Sequence, residues 1–229
     1  MKQYHFNNIT TLASAAFDNF KAVLETLSAQ PKIMIALSGG SSVEPLYQQI
    51  GKRYNEIPAS VWQKVVFCFA DERLVPLDSA DSNYKGACES FLTTLIEAQV
   101  ITSDAVATVN TESHNADSEY TAKVGNKMDI ALLGVGPDSH TCSLFPGHSS
   151  VDNPSEGFIL VEDSPKPPAR RISMSRSMVE NTDSAFVFFI GEGKRDAYSN
   201  FMDDAVHIKD APIKISRQAT ECLMFSDLI

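Results

Sequence analysis

Positive charge is what this sequence has least of. Across 229 residues, 19 lysines and arginines stand against 29 aspartates and glutamates, giving a net charge of −10 and a pI near 4.9. Such a chain has no basic footprint for binding nucleic acid, and an anionic substrate meets a repulsive overall field. Attraction for such a substrate has to come from a few local cations and backbone N–H groups. The 4 cysteines, Cys68, Cys88, Cys142 and Cys222, form no Cys-x-x-Cys pair, so neither a zinc site nor a thioredoxin-type centre is supported. Cys68 lies in the apolar run 65–69 and Cys222 beside 223–225, where a buried free thiol is the ordinary expectation, and reduced thiols suit a cytoplasm. No uninterrupted apolar run is long enough to span a bilayer. The start, Met1-Lys2-Gln3-Tyr4-His5, has a cation but no apolar stretch behind it, unlike a signal peptide. Internal repeats, low-complexity segments and flexible linkers are also missing. These absences predict a cytoplasmic protein with neither membrane nor nucleic-acid partners.

What is present is ordinary for a globular chain: 43% hydrophobic and 21% charged residues. A chain of this size buries roughly 70–75% of its extended surface, enough for a core without disulfides or structural metal. The length predicts one domain over 1–229. Apolar residues Leu12, Ala16, Phe20, Leu24 and Leu27 recur at helical spacing, predicting an amphipathic helix between Ile9 and Ala29 that Pro31 stops. The run 32–37 reads as a strand, followed by a Ser-Gly-Gly-Ser-Ser turn and a helix carrying Val43, Leu46, Tyr47 and Ile50. Pro45 fits that helix's first turn, where the backbone N–H has no intrahelical partner. A buried strand at 65–70 ends in Asp71-Glu72-Arg73, and a helix opened by Ser82 or Asn83 follows. The pattern predicts further strands at 105–109, 130–133, 158–161, 172–175, 185–190 and 223–225. It also predicts a short helix within 110–127 and another from about 194 to 201. Short apolar strands alternating with helices predict an α/β fold with a mostly parallel sheet covered on both faces.

In open α/β sheets, ligands collect beyond the carboxyl ends of the strands. Three polar clusters fall there. The turn Ser38-Gly39-Gly40-Ser41 follows a strand and opens a helix, so its backbone can approach an anion and the helix N-terminus can face it. Turns of this kind also serve packing alone, and this one is neither a Walker loop nor a Gly-x-Gly-x-x-Gly fingerprint. Arg73, at the end of a buried strand, can pair with Asp71 or Glu72 or can meet an oxyanion or phosphate. In the loop 134–145, His140 stands two residues from Asp138 in a glycine-bracketed segment, which suits a general base. His5, His114, His148 and His207 lack that context and read as surface or core residues. Asp138 can orient the imidazole, or simply satisfy loop N–H groups.

These clusters, in this order, resemble the 6-phosphogluconolactonase family. The matching stretches are Ala36-Leu37-Ser38-Gly39-Gly40-Ser41, Asp71-Glu72-Arg73-Leu74-Val75-Pro76 with Asp81-Ser82-Asn83-Tyr84, and the run 133–147. Pro167-Pro168-Ala169-Arg170-Arg171-Ile172-Ser173 and Gly191-Glu192-Gly193-Lys194 match as well, so the resemblance spans roughly 33–225. It implies a Rossmann-like three-layer α/β/α sandwich akin to that of the glucosamine-6-phosphate deaminases. The implied reaction is hydrolysis of 6-phospho-D-glucono-1,5-lactone to 6-phosphogluconate in the oxidative pentose phosphate pathway. No cofactor and no metal is implied, and a monomer is expected. Carried over residue by residue, His140 corresponds to the general base and Arg73 to the active-site arginine. Ser38, Gly39, Gly40, Ser41, Arg171 and Lys194 correspond to the substrate and phosphate contacts. The sequence departs from the family at Ser139, where glycine is usual, and at Cys142, where alanine is common.

Two other readings compete. A glucosamine-6-phosphate deaminase would carry Asn-Glu-Pro after the histidine and an aromatic in place of Arg73; here Ser143-Leu144-Phe145-Pro146 contains no acid. A catalytically silent sugar-phosphate sensor remains open through Ser139, although no basic helix-turn-helix precedes Ile33.

Overall fold

Two sheets build the core of the computed structural model, which describes residues 1–228. Strands β1 (Lys2–His5), β2 (Ile33–Leu37), β3 (Val65–Phe69), β5 (Ile130–Gly134), β8 (Ser184–Phe189) and β9 (Glu221–Ser226) form the larger one. Its order is β1-β9-β8-β5-β2-β3, and every neighbouring pair is parallel. The smaller sheet, β4-β7-β6, joins Asp71–Arg73 (β4), Phe158–Val161 (β6) and Arg171–Met174 (β7) antiparallel. The helices are α1 (Ile9–Thr26), α2 (Glu44–Arg53), α3 (Ala59–Trp62), α4 (Asn83–Ala87), α5 (Thr93–Glu97), α6 (Ala116–Val124), α7 (Arg176–Glu180) and α8 (Arg195–Met202).

The large sheet is buried on both faces, which is why its central strands are unbroken apolar runs. Alternate residues serve opposite layers. Ile33, Ile35 and Leu37 of β2 join Phe186 and Phe188 of β8 and Leu223 and Phe225 of β9 in packing with α1, α2 and the α4–α5 segment. Met34 and Ala36 face the other way with Ala131 and Ala185, small side chains that share a cluster with α6, α7 and the small sheet. On that side, Val187, Phe189 and Met224 pack with Ala197 and Phe201 of α8 and with Ile213. The architecture is the three-layer α/β/α sandwich expected.

Local sequence explains most element ends. Asn8 caps α1, its side-chain oxygen accepting from the N–H groups of Thr10 and Thr11. Proline occupies the first turn of α2, as the spacing of Pro45 predicts. Ser82 caps α4 by accepting from Lys85 N–H. The helix expected after Ser82 is interrupted by a π-helical turn at Cys88–Leu92.

The structure corrects several expectations. Residues 105–109 form no strand; a short 3-10 turn at Ser103–Ala105 leads to Val106, which makes a single bridge to Phe67 on the edge of β3. The strands expected near 158–161 and 172–175 exist, but they pair antiparallel with each other, and the second of them with Asp71–Arg73, away from the parallel sheet. Among the elements the pattern does not predict are β1, α3, α7 and the 3-10 segment Pro212–Gln218.

Glu72 ties the small sheet to the helix layer. Fully buried, it accepts 2.8 Å hydrogen bonds from the backbone N–H groups of Arg73, Asn83 and Tyr84, and a 3.2 Å bond from the Ser82 hydroxyl. A strand residue thus caps the N-terminus of α4. Burial pushes its carboxyl pKa up even though three N–H groups favour the charged form. The folded protein therefore holds this proton more tightly than the unfolded chain, and Glu72's contribution to stability falls as pH rises above the ordinary carboxylate range. Replacing Glu72 with alanine strands three N–H donors. Urea unfolding of Glu72→Ala should show a loss of about 2–3 kcal/mol, whereas a loss below about 1 kcal/mol would mean that the cap does not need the carboxylate.

Candidate active site

The carboxyl ends of β2, β5 and β8 open onto a cleft of about 200 Å³. Its first wall is the turn after β2. The Ser38 N–H donates to Leu132 of β5, and the Tyr47 hydroxyl donates to the Ser38 carbonyl at 2.7 Å, so the turn is tied to both sheet and helix. Two of its glycines are required for different reasons. Gly40 has φ +97°, a left-handed conformation, and a Cβ on Gly39 would overlap the side-chain amide of Asn83. The hydroxyl of Ser38 is buried and has no hydrogen-bond partner among the described residues.

The second wall is the loop after β5. The Gly136 N–H donates to the His140 carbonyl, the Ser139 N–H donates to the Gly136 carbonyl, and the Thr141 hydroxyl donates to the Gly134 carbonyl. This closed loop holds the His140 ring 4.8 Å from the Phe145 ring, centroid to centroid. His140 Nδ1 lies 2.5 Å from Asp138 Oδ1. A side chain at Gly136 would overlap both the imidazole and the Asp138 carboxylate, so glycine is what lets the pair fold over the loop. Partial burial alone would raise the Asp138 pKa. Hydrogen bonds and attraction from His140 and Lys166 outweigh it and hold the carboxyl well below the usual carboxylate range.

The third wall is cationic. Arg73 and Arg171 are direct cross-strand partners in the small sheet. Arg73 Nη1 donates to the Asp81 carbonyl at 2.6 Å, while its buried Nε has no partner among the described residues. Arg171, 3% exposed, donates through Nε and Nη2 to the carbonyls of Pro168, Lys166 and Pro167, and its Nη1 lies 3.8 Å from Asp71 Oδ2. Lys194 reaches the cleft from the 3-10 turn before α8. Burial lowers the pKa of Arg171, with Arg73 adding to the effect and Asp71 opposing it. Burial also lowers that of Lys194, with Lys166 adding and Asp138 opposing. Buried cations with cationic neighbours form a site short of negative charge, which an anion would relieve.

Of the residues singled out from sequence, Ser38, Gly39, Gly40, Ser41, Arg73, His140, Arg171 and Lys194 all line this one cleft. Asp138 does not; it stands behind the imidazole and acts on the cleft only through it. Asp71, read from sequence only as a possible partner of Arg73, is a buried carboxylate on the cleft floor beside Arg171, and sequence reasoning missed Lys166, whose Nζ is 2.9 Å from Asp138 Oδ2. Nothing in the sequence ties Lys166, a lone cation framed by prolines, to His140 26 residues away. No group of three or more His, Cys, Asp or Glu side chains is disposed to hold a metal ion among the described residues, and none of their helices is long and apolar enough to cross a membrane.

A family model described as glucosamine-6-phosphate isomerases/6-phosphogluconolactonase matches residues 7–225. The chain belongs to this family. It is 32% identical over 200 residues to 6-phosphogluconolactonase 3 of Saccharomyces cerevisiae, covering 81% of this chain and 76% of the yeast protein. The crystal structure of 6-phosphogluconolactonase from Thermotoga maritima superposes with a TM-score of 0.83 at 22% identity, over 98% of both chains. A monomeric glucosamine-6-phosphate deaminase shares the fold with a TM-score of 0.80 at 15% identity, over 99% of this chain and 97% of that one.

Within this family the departures at Ser139 and Cys142 acquire a structural meaning, because both residues have positive φ, 70° and 51°. Ser139 is fully buried and turns away from the cleft: its hydroxyl accepts from Asn200 Nδ2 at 3.2 Å, and its carbonyl accepts from the Ile213 N–H. The partner of this hydroxyl is therefore on α8, away from Asp138. Cys142 lines the cleft, but burial pushes its thiol well up, so it stays protonated. At Ser139, glycine would relieve about 1–2 kcal/mol of left-handed strain. It would forfeit about 1 kcal/mol of hydrogen bond and a comparable amount of backbone entropy. Ser139→Gly should therefore shift unfolding free energy by less than about 1 kcal/mol in thermal or urea melts; a gain well beyond that would mean that the Asn200 contact offsets little of the strain.

Proposed function

We propose that this chain hydrolyses 6-phospho-D-glucono-1,5-lactone to 6-phosphogluconate, the lactonase step of the oxidative pentose phosphate pathway. The observation that carries the reading is the His140–Asp138 pair opening onto a cleft ringed by Arg73, Arg171 and Lys194. A carboxylate 2.5 Å from Nδ1 selects the tautomer with the proton there, and leaves the Nε2 lone pair as a base. Nε2 takes a proton from water as its oxygen adds to the lactone carbonyl carbon. The oxyanion that forms meets the Arg73 guanidinium, whose free Nε offers a donor. Collapse breaks the bond from that carbon to the ring oxygen, and the imidazolium returns its proton to the departing oxygen, giving a hydroxy acid. Lys194, Arg171 and the Ser38–Gly39–Gly40–Ser41 turn bind the phosphate, so an acidic protein holds a dianion through local cations.

The deaminase reading fits less well. Sugar-phosphate deamination needs carboxylates for proton transfer, and Asp71, the one acid lining the cleft among the described residues, is already committed. It accepts from the Ser143 hydroxyl at 2.8 Å and from Asn83 Nδ2 at 3.2 Å. A cytoplasmic location belongs to the same reading and is supported by four free thiols.

The direct test is a lactonase assay with fresh phosphogluconolactone, subtracting spontaneous hydrolysis. Rate above the blank supports the enzyme; tight product binding with no acceleration would support a silent sensor. Given an active wild type, His140→Gln should lower kcat by ~10²–10⁴ while product binding measured by calorimetry stays within a few-fold. Near-native turnover would remove His140 from the role of base.

Lys194→Ala is the clean probe of phosphate binding, because Arg171 also braces three loop carbonyls and its removal would disturb the wall itself. A charge-assisted contact contributes roughly 1.5–3 kcal/mol, so KM for the phosphorylated lactone should rise about tenfold or more. For unphosphorylated gluconolactone it should barely move. Equal effects on both substrates would show that Lys194 does not read the phosphate.

A further inference from the structure

Lys166 has no part in the scheme above, yet it is the cation nearest the base. Its Nζ stands 2.9 Å from Asp138 Oδ2 and 3.1 Å from His140 Nδ1. Resting on the lactonase reading, we infer that Lys166 is a positioning residue: it pins one oxygen of Asp138 so that the other holds the His140 Nδ1–H and the ring presents Nε2 as a lone pair to the cleft.

Asp138 lies on an exposed part of its loop, where a carboxylate with one partner can rotate into water. Here its two oxygens are divided, Oδ1 to the imidazole and Oδ2 to the ammonium. The ammonium has two acceptors within reach, and the choice decides the chemistry. If it donated to Nδ1, the ring proton would sit on Nε2, and the cleft would face a donor in place of a base. That arrangement would also set a bare Nδ1 against a carboxylate oxygen at 2.5 Å, two lone pairs in opposition. Donation to Oδ2 avoids the conflict and keeps the proton on Nδ1.

The lysine is itself held in place. Its carbonyl accepts from Arg171 Nη2 at 3.0 Å and from the Ser164 hydroxyl at 2.9 Å, and its N–H donates to Ser164 Oγ at 3.2 Å. A buried arginine on the cleft wall thus fixes the backbone from which Lys166 reaches the base. Lys166 does not line the cleft, and its head is turned to the Asp138–His140 pair, which argues against direct contact with the phosphate.

The test uses the full chain in four forms: wild type, Lys166→Met, Asp138→Asn and the double variant, with Lys166→Arg as the conservative control. With phosphogluconolactone, Lys166→Met should lower kcat about tenfold with KM within twofold, and Lys166→Arg should restore most of it. In the Asp138→Asn background, Lys166→Met should cost less than about twofold, since two residues acting through one contact are not additive. Independently of turnover, ¹⁵N shifts of the His140 ring should report the Nδ1–H tautomer in wild type and a tautomer mixture in Lys166→Met. A raised KM at unchanged kcat would make Lys166 a phosphate contact and overturn the inference. So would additive losses in the double variant, an unaffected Lys166→Met, or a wild-type ring protonated on Nε2. A wild type that does not beat spontaneous hydrolysis would instead overturn the lactonase reading, with the ring tautomer still deciding whether Lys166 orients the pair.

Discussion

A single buried carboxylate, Asp71, is where the walls of the cleft meet. Its Oδ2 accepts from Ser143 in the histidine loop, and its Oδ1 and carbonyl oxygen accept from Asn83 at the start of α4. Asn83 in turn fills the space that Gly39 leaves by having no side chain. Burying a charge of this kind is unfavourable unless it is paired and hydrogen-bonded, so Arg171 has to stand beside it, close to the floor of the cleft. The glycine turn, the histidine loop and the arginine wall are therefore not three separate features. Ser143 of the loop and Asn83 of α4 are the donors to Asp71, the turn makes room for Asn83, and Arg171 is the counter-charge, so removing Ser143 or Asn83 would leave Asp71 short of a donor.

The large sheet was readable because its chemistry is redundant. In β2, β8 and β9 both faces are apolar, so the run of residues signals a buried strand whichever layer covers it. The same signal is silent about partners. Residues 158–161 and 172–175 read as strands by their pattern, but nothing in that pattern distinguishes a place in the parallel sheet from one in a small antiparallel sheet with Asp71–Arg73. The edge strand β1 was invisible for the opposite reason: Lys2-Gln3-Tyr4-His5 is mostly exposed, and its strand character comes from parallel pairing with β9 rather than from burial. At 105–109 the apolar residues are buried, yet their burial is against β3 and α6 without a ladder.

The candidate site divides along similar lines. Ser38, Gly39, Gly40, Arg73 and His140 were legible because each follows a strand whose carboxyl end must open on one side of the sheet. Arg171 and Lys194 could be proposed from a family resemblance, but their convergence depends on the small sheet and on the turn before α8, which local pattern does not encode. Asp138 was read as a possible partner of His140 and is one, although from behind the ring. Lys166 was beyond reach: 26 residues separate it from His140, and only the tertiary fold brings the two together.

The pairing of Arg73 with Arg171 across two adjacent strands carries a thermodynamic consequence. Like charges placed opposite one another in a sheet weaken it, and Lys194 adds a third on the same cleft. The unliganded protein thus folds against a standing electrostatic penalty, which a bound dianion would cancel. On the proposed function, ligand and fold would be linked by mass action: the concentration of the phosphorylated compound would set, in part, how much of this protein survives thermal and proteolytic challenge in the folded state.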